Sequence, residues 1–200
     1  MAVDVAIIEG GGANISSLRF ALERLGVTSA LTADADKIRA AKRVILPGVG
    51  AAEDAMEKLR AAGLDAVIPG LTQPLLGICL GMQLLFDGSE EDDAQCLGVI
   101  EGRARLFDAG DERPVPHMGW NSIRKNDSPA LLEGIDSNAY FYFVHSYAVD
   151  VTPATIGITN YGRDFSAVVT QDNFCGTQFH PERSGKNGAR LLHNFLTGVS

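Results

Sequence analysis

Apolar residues follow two rhythms along this chain, and the change falls near residue 88. Before it, nearly continuous apolar runs at 3–8, 43–46 and 74–78 read as strands buried on both faces. A shorter run at 27–30 reads as another strand. Helical spacing lies between them. Leu18, Leu22 and Leu25 share one face, and the stretch 51–62, rich in Ala, Glu, Lys and Met, predicts a helix that Gly63 ends. Strands alternating with helices predict a parallel sheet covered by helices.

Beyond residue 88 the pattern shortens and alternates. An acidic connector at 89–95 precedes strand-like segments at 99–106, 140–149, 155–160, 165–170 and 174–178. Turn sequences at 160–163 and 171–173 predict antiparallel pairing there. A last helix is expected over 185–196, with Ala189, Leu192 and Phe195 at core spacing. No internal repeat or low-complexity linker divides the chain, so one domain over 1–200 is expected.

Composition narrows the function classes. With 46% hydrophobic and 21% charged residues, the chain has the makings of a core. A net charge of −8 argues against a dedicated nucleic-acid binder, which needs a basic face for phosphates. No apolar run reaches membrane-spanning length, and the start Met1-Ala2-Val3-Asp4 lacks the basic segment of a secretion signal. Cys79, Cys96 and Cys175 form an odd, widely spaced set, which suits a reducing compartment; a cytoplasmic location is expected.

The densest chemistry lies at Gly77-Ile78-Cys79-Leu80-Gly81-Met82-Gln83. An apolar strand runs into a cysteine flanked by glycines and then into a helix pattern starting at Leu80, the layout of a nucleophile on a sharp strand-to-helix turn. A lone cysteine at a strand end is most often inert core. Here the glycines remove bulk on both sides, and the free N–H groups of the helix face the sulfur, lowering its pKa and offering an oxyanion site. Far downstream, Phe179-His180-Pro181-Glu182 supplies an imidazole and a carboxylate, with Pro181 keeping His180 extended. Cys79, His180 and Glu182 thus offer nucleophile, base and orienting group. A structural histidine and a surface carboxylate are the plainer alternatives. A metal site is disfavoured, because no further ligand is spaced to complete one.

Pro47-Gly48-Val49-Gly50 ends a core strand, where open α/β sheets bind ligands, and its glycines can turn an N–H towards a reacting oxygen. Gly10-Gly11-Gly12 is out of register for a dinucleotide fingerprint, so a nucleotide cofactor is not expected. The aromatic segments 117–121 and 140–147 read equally well as core and as partner contact.

The elbow and the downstream Phe179-His180-Pro181-Glu182 resemble the class I glutamine amidotransferase family over nearly the whole chain. The resemblance implies a three-layer α/β/α, flavodoxin-like fold with a mostly parallel central sheet and a small antiparallel extension. It implies hydrolysis of L-glutamine through a cysteinyl thioester, without cofactor or metal. Cys79, His180 and Glu182 fall on the family's catalytic positions. Backbone groups of Leu80 and of Gly48, Val49 and Gly50 fall on its oxyanion hole, and Gln83 and Glu91 on its glutamine-binding positions.

Leu46-Pro47-Gly48-Val49-Gly50, His117-Met118-Gly119-Trp120-Asn121 and Phe143-Val144-His145-Ser146-Tyr147 are similar to one branch of the family. That branch works in a heterodimer with a (β/α)8-barrel cyclase. Its ammonia goes into imidazole glycerol phosphate and aminoimidazole carboxamide ribotide in histidine biosynthesis. His117, Trp120, Asn121 and Arg183 then fall on the partner interface. Two departures stand out: the first loop at 9–14, and Ala52 where the family usually has phenylalanine. The rivals are another amidotransferase, such as a pyridoxal phosphate synthase glutaminase, and a non-catalytic scaffold; the motifs and the intact Cys-His-Glu set weigh against them.

Overall fold

The computed structural model describes residues 3–9, 15–110, 113–126 and 130–199. The glycine-rich stretch at 10–14 lies outside the described residues. The first half runs β1 (Val5–Ile8), α1 (Ile15–Arg24), β2 (Ser29–Thr32), α2 (Ala35–Ala40), β3 (Arg43–Gly48), α3 (Ala52–Ala61), β4 (Leu75–Cys79), α4 (Leu80–Gln83) and β5 (Phe86–Ser89). The second half runs β6 (Ile100–Leu106), β7 (His117–Ser122), β8 (Arg124–Lys125), β9 (Tyr140–His145), β10 (Tyr147–Val149), β11 (Thr155–Asn160), β12 (Asp164–Gln171), β13 (Phe174–Thr177) and α5 (Gly185–Thr197).

The main sheet has eight strands in the order β2-β1-β3-β4-β13-β12-β11-β8. The five from β2 to β13 are parallel, and β12, β11 and β8 extend them antiparallel. Strand alternation splits the apolar residues between its two faces. Val5, Ile7, Ile45, Leu76 and Ile78 meet α1 and α5 through Leu18, Leu22, Leu191 and Phe195. Ala6, Ile8, Val44, Leu46 and Leu75 meet α2 and α3 through Ile38, Met56 and Leu59. Each such side chain, once fully buried, contributes about 1.5–3 kcal/mol. The expected α/β/α layering with its antiparallel extension is therefore what forms.

Two smaller sheets flank the main one: β10-β6-β5 and β7-β9. They account for most departures from expectation. The stretch 140–149, read as one strand, breaks at Ser146 into β9 and β10, which pair in different sheets. β5 carries Asp87 and Gly88, poor strand formers, and its pairing comes from tertiary contacts around the buried Phe86. β2 begins at Ser29, two residues later than the apolar run suggested. α2 is set by Asp34, whose carboxylate accepts from the N–H groups of Asp36 at 3.0 Å and Lys37 at 3.3 Å.

The topology puts one pairing at the centre. The chain leaves the parallel region, builds the antiparallel extension, and returns as β13 beside β4, with Gly176 opposite Gly77 and Thr177 opposite Ile78. The segment after β13, which carries His180 and Glu182, therefore emerges at the same sheet edge as Cys79. On the other side of β4, Gly48 of β3 lies opposite Cys79.

Glycines let the backbone cross there. A Cβ on Gly77 would sit 2.6 Å from the Gly81 carbonyl oxygen, and one on Gly81 would collide with the Leu46 carbonyl. We expect Gly81→Ala to destabilise the fold by about 1–3 kcal/mol, because backbone faces backbone and neither gives way. Urea unfolding should show a lower midpoint at unchanged slope. A midpoint equal to the parent's would mean the crossing relaxes freely.

Candidate active site

Cys79 ends β4 and caps α4 with φ 55° and ψ −112°. A non-glycine residue in that region carries strain of about 1–3 kcal/mol, held there by the surrounding sheet. The expected helix after it is a single turn, so its contribution is local N–H groups rather than a long dipole. The buried Cys79 sulfur lies 3.7 Å from the Val144 carbonyl, which accepts from its S–H, and 3.8 Å from the Gln178 side-chain nitrogen, which donates to it.

His180 is stapled from behind. Its N–H donates to the Tyr142 carbonyl at 3.0 Å, and its own carbonyl accepts from the Ser184 hydroxyl at 2.7 Å. Pro181 follows, and the His180 backbone is extended as expected. The Nδ1 of His180 meets Glu182 Oε1 at 2.9 Å, with the Glu182 side chain only 5% exposed. A carboxylate there fixes the proton on Nδ1 and leaves Nε2 for the cysteine side. Burial alone would lower the His180 pKa; the nearby Cys79 thiol and then the Glu182 carboxylate favour the imidazolium, outweigh it and raise the pKa to about 10. The structure thus gathers Cys79, His180 and Glu182 from distant parts of the sequence.

A cavity of about 300 Å³ opens in front of the sulfur, lined among others by Val49, Gly50, Gln83, Glu91 and His180. Gln83 lies on its floor with both amide hydrogens used: its nitrogen donates to the Tyr147 carbonyl at 2.8 Å and to Gln178 Oε1 at 2.9 Å. Glu91 Oε2 accepts from the Ala52 N–H at 2.9 Å, and burial pushes its pKa up. Leu80 also lines the cavity. Gly48 is packed tightly behind it, 2.8 Å from its would-be Cβ to the Gly81 nitrogen. Gly50 has φ +94°, so it holds a turn open to few other residues.

The residues expected at a partner interface divide. On β7, period two sends His117, Gly119 and Asn121 one way and Met118, Trp120 and Ser122 the other. Trp120 is 55% exposed, Met118 65%, and the Arg183 guanidinium lies over the Tyr142 ring at 4.9 Å. His117 and Asn121 are corrected: both turn inward. His117 is buried between the rings of Phe143 and Tyr161, and Asn121 is spent on the His117 ring and the Asn160 carbonyl. The sequence had the signal for this in its alternation. Gln178, Val144 and His145, which also surround the sulfur or the cavity, carried no assigned role. Gln178 closes a predicted strand, and Val144 and His145 lie in the aromatic segment 140–147.

The His180 environment makes a titration testable. Its folded pKa lies above the unfolded value near 6.5, so its imidazolium contributes stability fully below that value and loses it as pH rises through about 10. Cys79→Ala removes the largest raising influence. NMR titration of the His180 ring should find the variant's pKa lower than the parent's, with the stability loss smaller and complete at lower pH. An unchanged pKa would break the Cys79–His180 link.

The family model for class-I glutamine amidotransferases matches residues 6–199. The chain is 52% identical over 193 residues to the imidazole glycerol phosphate synthase subunit HisH of Xanthomonas oryzae pv. oryzae (strain MAFF 311018), with 96% of each chain covered. It is 49% identical over 198 residues to the protein of that name from Haemophilus influenzae, with 98% of each covered. Among solved structures, one described as a glutamine amidotransferase superposes with a TM-score of 0.75 at 20% identity, covering 98% of this chain and 100% of that one. A putative GMP synthase subunit from Thermoplasma acidophilum gives 0.74 at 16% identity, covering 98% and 93%. Those two likenesses concern the fold alone. With a family model spanning nearly its full length and relatives about half identical throughout, the chain belongs to the class-I glutamine amidotransferase family.

Proposed function

We propose that this chain hydrolyses L-glutamine to L-glutamate and ammonia, and supplies the ammonia to a (β/α)8-barrel cyclase subunit in histidine biosynthesis. The observation that carries the chemistry is the His180–Glu182 pair at 2.9 Å, aimed from β13's end at an elbow cysteine that faces a cavity. The half-identical relatives that bear the synthase-subunit name support the pathway. The three free cysteines support a cytoplasmic setting.

In this reading the Cys79 thiolate attacks the side-chain carboxamide carbon of glutamine. Backbone N–H groups of Leu80 and of the Gly48-Val49-Gly50 turn receive the oxyanion. His180 gives its Nε2 proton to the departing ammonia, leaving a thioester on Cys79. It then takes a proton from water, whose hydroxide releases glutamate and frees the sulfur. Glu182 holds the ring through Nδ1 and exchanges no proton itself. Glu91 offers a carboxylate to the α-ammonium of glutamine, and Gln83 offers its free carbonyl oxygen.

The cyclase is proposed to dock on the outer face of the β7–β9 pair. Trp120, Met118, Tyr142 and Arg183 line that face, and Trp and Arg are favoured anchors of interfaces. Its inner side is the Val144 carbonyl at the sulfur.

Cys79→Ala should lose glutamine hydrolysis by more than about a thousandfold while still binding the cyclase. The complex should then make product only when free ammonia is supplied. Residual hydrolysis within about tenfold of the parent would remove Cys79 from the role.

The identity of the partner is tested by rate. The isolated chain should hydrolyse glutamine slowly, and a cyclase loaded with its nucleotide ligand should raise the rate by about a hundredfold or more, the scale of one gained oxyanion donor. Trp120→Ala should weaken that activation without changing the melting temperature. Full activity of the chain alone, unaltered by loaded cyclase, would make it a free-standing amidase.

A further inference from the structure

Gln178 is fully buried between β13 and His180, and its amide is part of a continuous hydrogen-bonded chain. Each link fixes the next. His145 Nδ1 lies 2.7 Å from the Tyr147 carbonyl, an acceptor only, so Nδ1 carries the proton. His145 Nε2 is then an acceptor, and His117 Nδ1 at 3.0 Å must donate to it. His117 Nε2 is left to accept from the Asn121 amide at 3.3 Å. Asn121 itself is held by the Asn160 carbonyl at 3.1 Å and the Ser122 N–H at 2.8 Å. Burial keeps both imidazoles uncharged, lowering His117 to about 4 and His145 to about 3.

At the other end, the Tyr147 carbonyl also accepts from Gln83, whose second amide hydrogen goes to Gln178 Oε1. That leaves Gln178 only one arrangement. Its oxygen faces Gln83 and its NH2 group faces the Cys79 sulfur at 3.8 Å. A flipped amide would set NH2 against NH2, two donors with no acceptor, in a place closed to water.

The sulfur needs such a donor. Its other protein neighbour is the Val144 carbonyl, which accepts from S–H and opposes a negative sulfur. The charged or titratable groups around it are His180, backed by Glu182, neutral His145, and Tyr147 and Glu91 lining the cavity. Among these side chains, His180 and Gln178 present hydrogens to it. We propose that Gln178 is a further catalytic residue, donating to the Cys79 thiolate, and that the Tyr147 carbonyl, acting through Gln83, is the positioning device that fixes which end of its amide meets the sulfur. This rests on Cys79 being the nucleophile. It also confines Gln83 to its carbonyl oxygen for any contact with glutamine.

The test is alkylation of Cys79 by iodoacetamide in the full chain, followed by peptide mass spectrometry across pH, alongside glutaminase kinetics with the cyclase. Gln178→Met keeps the length and removes the donor. Its Cys79 should react about tenfold more slowly at neutral pH, with the midpoint of the pH profile moved up. kcat should fall and KM stay near the parent's. Gln178→Glu, of the same shape but without a donor when ionised, should be slower still.

Parent-like alkylation profiles in both Gln178 variants, whatever happens to their melting temperature, would overturn the proposal and leave Gln178 structural. If the variants do not fold, the unsubstituted chain decides. With glutamine side-chain nitrogen labelled, the Gln178 amide signals should shift when Cys79 is alkylated, and silence there would overturn the donor role. Parent Cys79 reacting no faster than half-buried Cys96 would instead sink the nucleophile reading beneath it.

Discussion

Everything at this site depends on one close approach of backbone to backbone. β4 must turn into α4 within one residue, against β3, with no room for a Cβ at Gly77 or Gly81. Cys79 absorbs the turn by taking a left-handed backbone. The strain is local, but the structure resisting it is the whole parallel sheet, whose central strands β3, β4 and β13 are buried along their length. A less rigid support would let the turn relax and the sulfur drift. The return of β13 to pair with β4 then fixes where His180 and Glu182 arrive.

The polar groups of the site fall into two kinds. Gln83, Gln178, His117, His145 and Ser184 are buried and hydrogen-bonded, with the Gln83 carbonyl oxygen left to the cavity. Among the described residues, the buried side-chain atoms without a hydrogen bond are Arg163 Nε, His180 Nε2 and Glu182 Oε2. Arg163 Nε is still within 3.2 Å of the Asp150 carboxylate. The other two belong to the pair that faces the cysteine. An unsatisfied buried nitrogen is costly, and its position beside the nucleophile gives it a use that only a reacting molecule fulfils.

Sequence carried the elbow, the core strands and the Cys79, His180 and Glu182 positions, because each is written locally: glycine spacing, continuous apolar runs, a proline after the histidine. It carried less where pairing decides. β5 holds Asp87 and Gly88 and is a strand only because Phe86 and Ser89 find partners on β6. The break at Ser146 follows from two sheets claiming the two halves of one apolar run. The inward turn of His117 and Asn121 was readable from strand period alone, since residues 117, 120 and 121 cannot share a face of one strand. The role of Gln178 was not readable at all. Nothing in its neighbours reveals which end of an amide meets a sulfur; that comes from a backbone carbonyl on β10 and a side chain on α4.

The β7–β9 pair has a mechanical consequence. Among the described residues it has two strands, and outside their shared ladder β9 is held at Tyr142, whose carbonyl accepts from the His180 N–H and whose N–H donates to the Ser184 hydroxyl. Yet the carbonyl of Val144, on β9, is itself the wall of the site, touching the Cys79 sulfur. The barrier between solvent and nucleophile is therefore one polypeptide strand thick at this point. A load on the outer surface there has no further layer of backbone to cross before the sulfur, and does not pass through the parallel sheet. The molecule keeps its nucleophile on the central parallel sheet and walls it with a two-stranded ribbon whose other face carries the exposed Met118 and Trp120.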